Sequence, residues 1–556
     1  MKPIGKSDSP GKTNDSDGIK LRASFFSISQ EKGLDPSQRY TRMAESTLGV
    51  LHRRGDFYFH ADRRDFNSAM YFDKKRRLLL LISSDEFQAW LSAWTGVNRA
   101  ERSFAFVLKA IETEALSGNT RAITPAICWH STPEAIYLSC GDGQAFKITP
   151  GKVALVGNGT DGVLFAAGQT LRPWRLIKPK DPFESCRLFR EARYSAPHGK
   201  HLLRLWWLSM FTLQRCKPPL TVSGPIAAGK TRLATGIFEL LGIPPRVTAI
   251  HEDGENDFWT AMDAGGVVCF DNADTRVRWF PDALAAASTD GSHEKRQLYT
   301  DGRLIRQHAR AWVIVTSANP TFAADAGLAD RLTVVRLERR EVDTAESALS
   351  EEIVRNRDAG LSWIAYTLAT TLADTRPTPV NLNRRHPDFA STAVRLGRAM
   401  KREKETIAAL GAAEADKSLL NVQNDEIGAM LIEMAAKSGP FGGTANDILQ
   451  MLLKTDPLLS TRWTAQRLGK RINKLLPHLE IVLSAKVQED RSRLVRYSFI
   501  SCGEGGEDQV AVSHKAPILP SHASFRRIGS QSSPSSPAQS KSMKHKIFLK
   551  GVHQRC

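Results

Sequence analysis

The chain has 556 residues, 41% of them hydrophobic, with 77 Lys and Arg against 59 Asp and Glu for a net charge of +18. That composition excludes a disordered protein, leaves room for about three to four domains, and favours a polyanionic partner, nucleic acid first, over a basic protein that only rests on a ribosome or membrane surface. Seven scattered cysteines, odd in number and without a C-x-x-C pair, argue against a disulfide framework and against zinc, and for a reducing cytoplasm. The N-terminus is polar, with no secretory signal, and the most apolar stretch, residues 201–214, is too short and too interrupted to span a bilayer. No membrane role is expected.

Residues 1–36 are rich in Ser, Asp, Lys and Gly and are predicted to lack structure. Residues 37–180 read as an α+β module. A helix starts at 84–94 and an amphipathic one follows at 104–115. Strand-like runs at 135–138, 145–148 and 153–156 are separated by Gly-Asp-Gly and Asn-Gly turn signals. The module contains no catalytic constellation, and its acids lack the D-x-D arrangement that a polymerase or primase uses for two metals.

In residues 181–340 strands and helices alternate, which predicts a parallel sheet. The apolar run 220–223 leads into Gly224-Pro225-Ile226-Ala227-Ala228-Gly229-Lys230-Thr231, a G-x-x-x-x-G-K-[ST] match, and a helix over 232–241 that Gly242 and Pro244-Pro245 stop. Strand, glycine loop and helix are the context this phosphate-binding motif requires. The glycines let backbone N–H groups close around phosphates, Lys230 adds a point charge at the β/γ-phosphates, and the Thr231 hydroxyl holds Mg²⁺. ATP and Mg²⁺ are therefore the expected ligands.

About 40 residues beyond Lys230, the strand 266–271 ends in Asp271, placed to hold Mg²⁺ through water. A third strand, 311–316, runs into Ser317-Ala318-Asn319, where Asn319 would orient the attacking water. A fourth, 332–337, follows Ala329-Asp330-Arg331. Taken singly, an Asp at a strand end is often a helix cap, and an Arg before a strand is usually a surface charge paired with a neighbour such as Asp330 or Glu338. The succession of all four after a P-loop makes the reading specific.

Between the second and third of these strands, residues 294–310 read as a hairpin with its turn at Asp301-Gly302. Its arms carry Lys295, Arg296, Arg303, Arg306 and Arg310, with Tyr299 as the stacking residue. Basic groups beside an aromatic on a ribbon suit phosphate contact plus base stacking; an ordinary solvated hairpin at a sheet edge is the alternative.

Residues 341–438 are helical, with Leu349, Ile353, Leu361, Ile364, Leu368 and Leu372 at helical spacing. Residues 439–502 read helix, helix, hairpin. Thr444 caps a first helix through Leu453. A second spans 464–476, burying Leu468, Ile472 and Leu475 and carrying Arg467, Lys470, Arg471 and Lys474 on its other faces. Runs 480–487 and 493–500 then form a hairpin with Asp490-Arg491-Ser492 near its tip. This is a winged-helix pattern, with a recognition helix for duplex DNA and a wing at Arg491, although winged helices also bind proteins. Residues 503–556 are Ser-, Pro- and Lys-rich and are predicted to lack structure.

The succession resembles the AAA+ class, and more closely the superfamily 3-type helicase ATPases of phages, plasmids and other mobile elements, often found with primases. The residues that carry it are Gly224 to Thr231, Phe270-Asp271-Asn272-Ala273-Asp274, Val315-Thr316-Ser317-Ala318-Asn319-Pro320 and Gly327-Leu328-Ala329-Asp330-Arg331-Leu332. The resemblance covers the ATPase core; the C-terminal module looks like those beside such ATPases, and the N-terminal part matches loosely. It implies an α/β fold: an AAA+ P-loop core on a parallel sheet, a helical lid, the N-terminal α+β module and a C-terminal winged helix. It also implies a homo-oligomeric ring with single-stranded DNA in its pore gripped by the basic hairpin, Arg331 as a finger on the neighbouring subunit's γ-phosphate, and a primase or other replication protein as partner. One departure is Asn272, where many relatives carry a Glu as general base. Asn cannot take a proton from water, so the base falls to Asp274, to Glu252 or Asp253 upstream, or hydrolysis is slow.

The expected function is an ATP-driven, DNA-acting motor of a mobile element, a replicative or initiation helicase. A nucleotide-switched DNA-binding or loader protein that unwinds nothing is the second reading, kept open by Asn272. A P-loop phosphotransferase on a small molecule is the third; the sensor strand, Arg331 and the basic wing argue against it.

Overall fold

The computed structural model describes residues 16–500 apart from 64, 168–170, 274–276, 297–303, 319, 321, 323–325, 341–343, 381, 384, 424 and 490–494. Asp274, Tyr299, Arg303, Asn319 and Arg491 lie outside the described residues, as do the side chains of Lys295 and Arg296 and the whole of 503–556.

The N-terminal part opens with a helix that composition hides. Residues Ser16–Gln30, expected to lack structure, are helical, because Leu21 and Phe25, one turn apart, are both buried. Helices Pro36–Arg54, Asp85–Thr95 and Arg102–Ala115 accompany a sheet of β1 (Gly55–His60), β2 (Ala69–Asp73), β3 (Leu78–Leu81) and β4 (Arg121–Ile123), ordered β3-β2-β1-β4. A second, antiparallel sheet runs β5 (Trp129–Ser131), β6 (Ile136–Gly141), β7 (Gln144–Thr149) and β8 (Lys152–Gly157). Its inward residues Ile136, Leu138, Phe146 and Ile148 share one hydrophobic cluster with Leu220, Val222 and the helix after the glycine loop. Buried residues on both sides of position 180 thus share one cluster.

The central sheet is parallel throughout: β9 (Leu220–Ser223), β10 (Val247–Ala249), β11 (Val267–Asp271), β14 (Trp312–Ser317) and β15 (Thr333–Arg336), ordered β10-β11-β14-β9-β15. Between β11 and β14 the chain makes the antiparallel ribbon β12 (Ser292–Arg296) and β13 (Leu304–His308). The sheet is buried on both faces. Val267, Cys269, Trp312 and Ile314 enter one cluster with the helix Lys230–Leu241. The alternate residues Val268, Phe270, Val313 and Val315 enter a second, with helices Glu255–Asp263 and Trp279–Ala287. That period of two, apolar on both sides, is what a covered parallel sheet requires.

Beyond the sheet, the helix Glu346–Ala373 buries Leu349, Ile353, Leu361, Ile364 and Leu368, the stripe the spacing predicts. It also buries Arg357, whose guanidinium donates to the carbonyls of Leu240 (3.2 Å) and Leu241 (3.1 Å) and to those of Arg172 and Pro173. A cation at the carboxyl end of Lys230–Leu241 meets the negative end of its dipole. Burial lowers this guanidinium's pKa to about 10.

Past helices Pro387–Ala399, Glu403–Gln423 and Glu426–Ser438, the last module pairs β16 (Phe441–Thr444) with β18 (Val495–Phe499), and β18 with β17 (Lys486–Glu489). Thr444 caps Ala445–Thr455 as expected. The second helix, Ala465–Val482, is longer than predicted and passes through Pro477. A proline there removes a helical hydrogen bond. Burial of Leu479, which extends the Leu468, Ile472, Leu475 stripe, and contacts of His478 with Ser418 and Asn421 (3.3 Å each) hold the helix beyond it. The strand expected from residue 480 therefore begins only at Lys486.

Gly224, at φ +149°, lies so close to Leu337 that a Cβ there would stand 2.3 Å from its carbonyl oxygen. Gly224→Ala is expected to destabilise the fold by about 2 kcal/mol or more, read as a lower denaturation midpoint; an unchanged midpoint would contradict this close packing of β15 on the loop.

Candidate functional site

Parallel pairing puts the carboxyl ends of β9, β11 and β14 at one edge of the sheet, and the glycine loop leaves β9 there. Ala227 at φ +66° and Gly229 at φ +79° bend it back, and the helix starts at Lys230, two residues earlier than the sequence suggests. Its first amides face the loop, the arrangement that attracts anions. Lys230, 8% exposed, lays its ammonium across the loop and donates to the carbonyls of Gly224 (2.8 Å) and Pro225 (2.9 Å).

Thr231 Oγ1 donates to Asp271 Oδ1 at 2.7 Å, and Thr316 Oγ1 donates to the same oxygen at 2.5 Å. Residues 40 positions apart thus meet as the register implies: Phe270 pairs with Val315, which sets Thr316 beside Asp271. Sequence reasoning missed Thr316, although a β-branched hydroxyl at the end of an otherwise apolar buried strand is the signal that could have found it. Its oxygen also accepts the backbone N–H of Asn272 at 3.0 Å. Asn272 adopts φ +52°, a left-handed conformation that Asn tolerates better than most residues. That requirement is a physical reason for an Asn at this position.

A hydroxyl and a carboxylate side by side, with solvent beyond, suit a cation that keeps most of its waters, as Mg²⁺ does. Among the described residues no group of three or more His, Cys, Asp or Glu gathers elsewhere to form a protein-only metal cage. The loop, Lys230, Thr231 and Asp271 therefore fit a phosphate chain with Mg²⁺. Glu252 and Asp253 are exposed beyond β10. That strand lies three places from β9, roughly 14 Å across the sheet.

Arg331 sits at the other edge. It precedes Thr333, which pairs with Leu220 at the start of β9, so its backbone lies about 15–20 Å along the strand direction from its own glycine loop. His386 Nε2 meets its carbonyl at 3.2 Å. Burial lowers the His386 pKa to about 4, leaving a neutral ring to donate this bond. Nearby, Asp330 accepts from Asn421, and Glu338 pairs with Arg193.

Of the expected DNA-contacting residues, Lys295, Arg296 and Arg306 lie on the β12–β13 ribbon. Arg306 is exposed and pairs with Glu294 at 2.6 Å. Arg310, also expected on an arm, lies past the last paired residue instead. It bonds Asp263 at 2.8 Å and pairs with Asp62 of the N-terminal part, while Arg63 reaches the same Asp263 at 3.1 Å. The base of the ribbon is thereby tied to the N-terminal part. On the helix Ala465–Val482, Arg467, Lys470 and Lys474 are exposed; Arg471 is tied to Asp425, its Nε at 2.6 Å.

Residues 187–419 match the family model described as the actinomycete integrative conjugative element replication protein. This match supports a replication protein of a mobile element. No curated protein matches the chain. Among solved structures, three apo forms of the NrS-1 C-terminal region are similar to it at 11% identity, covering 82% of this chain and 98% of the other, with TM-scores of 0.37, 0.36 and 0.36. No described helix is long and apolar enough to cross a membrane.

Thr316→Val keeps shape but removes one bond to Asp271 and the acceptor for Asn272 N–H. The expected cost is about 1–3 kcal/mol of stability, measured by chemical denaturation; a neutral substitution would mean the hydroxyl does not organise this edge.

Proposed function

We propose that this protein is an ATP-hydrolysing motor that acts on DNA during replication of a mobile element. Its core would be of the AAA+ kind and closest to superfamily 3-type helicases, with residues 341–438 as lid and 439–502 as winged helix. The observation that carries the reading is the sheet order β10-β11-β14-β9-β15 with the glycine loop after β9 and the Thr231–Asp271–Thr316 contact at its edge. The match over residues 187–419 supports the replication role.

In this reading Lys230 exchanges two loop carbonyls for the β/γ-phosphates, and the loop amides close around them. Thr231 and Asp271 would hold Mg²⁺, whose chemistry there would be to offset charge on the phosphate chain. Thr316 fixes the carboxylate, and Asn319 and Asp274 remain the candidates for orienting and deprotonating water. Arg331, remote from its own loop, serves the site of a neighbouring subunit, so the active form is an oligomeric ring. Single-stranded DNA lies against the β12–β13 ribbon in the pore, and duplex DNA against Arg467, Lys470 and Lys474. The second reading, an ATP-switched loader that unwinds nothing, is favoured by one observation: Asn272 places no carboxylate directly after Asp271.

Arg331→Ala is expected to lower ATP turnover by about 10³–10⁵ with its own loop intact, and Lys230→Ala to abolish turnover. Mixing the two inactive proteins is expected to restore activity, because a mixed ring contains interfaces with an intact Lys230 on one side and an intact Arg331 on the other. Steady-state ATPase of the mixture decides it; no recovery in demonstrably mixed oligomers contradicts a finger acting between subunits. Unwinding of forked DNA by the parent protein separates helicase from loader.

A further inference from the structure

The strand that carries Arg331 at its amino end carries a second arginine past its carboxyl end. As β15 leaves the sheet it stays clamped on both sides. Leu337 N–H donates to Ser223 at 2.8 Å, Ser195 N–H donates to Arg336 at 3.0 Å, and Glu338 N–H donates to Arg193 at 2.8 Å. Gly224 packs against the Leu337 carbonyl. Two residues further, Arg340 is delivered onto the glycine loop. A Cβ placed on Gly229 would lie 3.2 Å from three atoms of its guanidinium, and Gly229 directly precedes Lys230.

Among the described residues Arg340 makes no ion pair, and its Nε is buried without a hydrogen-bond partner. The loop thus gathers an ammonium, a guanidinium and a helix amino end, with no carboxylate of the described residues on the guanidinium. Like charges held together in a partly desolvated place repel unless an anion joins them, and a guanidinium fork matches phosphate oxygens two at a time.

We propose that Arg340 is a second cationic ligand of the nucleotide's phosphate chain, acting on its own subunit's loop. This rests on the nucleotide reading of that loop. Arg340 and Arg331 then divide the work of one strand: the first binds the nucleotide at home, the second serves the neighbour.

The test is equilibrium binding of a fluorescent ATP analogue with Mg²⁺ to the full chain, as parent, Arg340→Ala, Arg340→Gln, Arg340→Lys and Lys230→Ala. Arg340→Ala and Arg340→Gln are expected to weaken binding about 10- to 100-fold and to flatten its dependence on ionic strength. Arg340→Lys is expected to recover part of the loss. Arg340→Gln keeps most of the side chain's bulk, so a parent-like melting midpoint in that variant separates lost binding from lost fold. Parent-like or tighter binding by Arg340→Ala and Arg340→Gln, with binding lost in Lys230→Ala, overturns the role of Arg340 and leaves the nucleotide reading standing. Absence of binding by the parent overturns both.

Discussion

Parallel pairing of β9 with both β14 and β15 is the constraint on which the rest depends. It aligns the carboxyl ends of non-consecutive strands, so a loop after β9, an acid ending β11 and a hydroxyl ending β14 meet at one edge. It also fixes what cannot meet there. Thr333 opposite Leu220 holds Arg331 at the far edge, and Arg336 opposite Ser223 sends Arg340 to the loop. A register slip of one residue would turn every side chain of a strand to the other face, and here both faces are packed.

The helical and N-terminal parts lock this sheet in place rather than form the site themselves. Arg357 joins the end of the glycine-loop helix to residues 172 and 173 through four carbonyls. The Asp62–Arg310–Asp263–Arg63 chain joins the base of the β12–β13 ribbon to the N-terminal part. Single exposed ion pairs contribute little, but here Asp263 meets two arginines and Asp62 meets one arginine and two histidines, and Asp263 is largely buried. Any displacement of the ribbon's base would therefore be felt at residues 60–63.

Local signals in the sequence carried the glycine loop, the strand ending in Asp271, the stripe on Glu346–Ala373 and the Thr444 cap, because each depends on neighbours within one or two turns or one strand. Long-range partners were not legible. The value of Thr316 lies in its register opposite Asp271, that of Arg357 in carbonyls more than a hundred positions away, and that of Arg340 in the route β15 takes past the loop. Ser16–Gln30 was hidden by its polar composition, since only two of its large apolar side chains, Leu21 and Phe25, are buried. The helix expected to end at Leu476 runs on through Pro477, because the buried Leu479 and the His478 contacts hold it. Arg471 read as one of four equivalent basic residues, yet only its three neighbours are left free of Asp425.

The central claim is that one subunit supplies the phosphate loop and its neighbour the arginine from the opposite edge of the sheet. The measurement that tests it most directly is the mass of the parent protein in solution, with and without ATP and Mg²⁺, taken at the concentrations where turnover is recorded. The account predicts a closed oligomer that forms or tightens with ATP, and turnover per subunit that rises with protein concentration as the oligomer assembles. A strictly monomeric protein with full, concentration-independent turnover would contradict it.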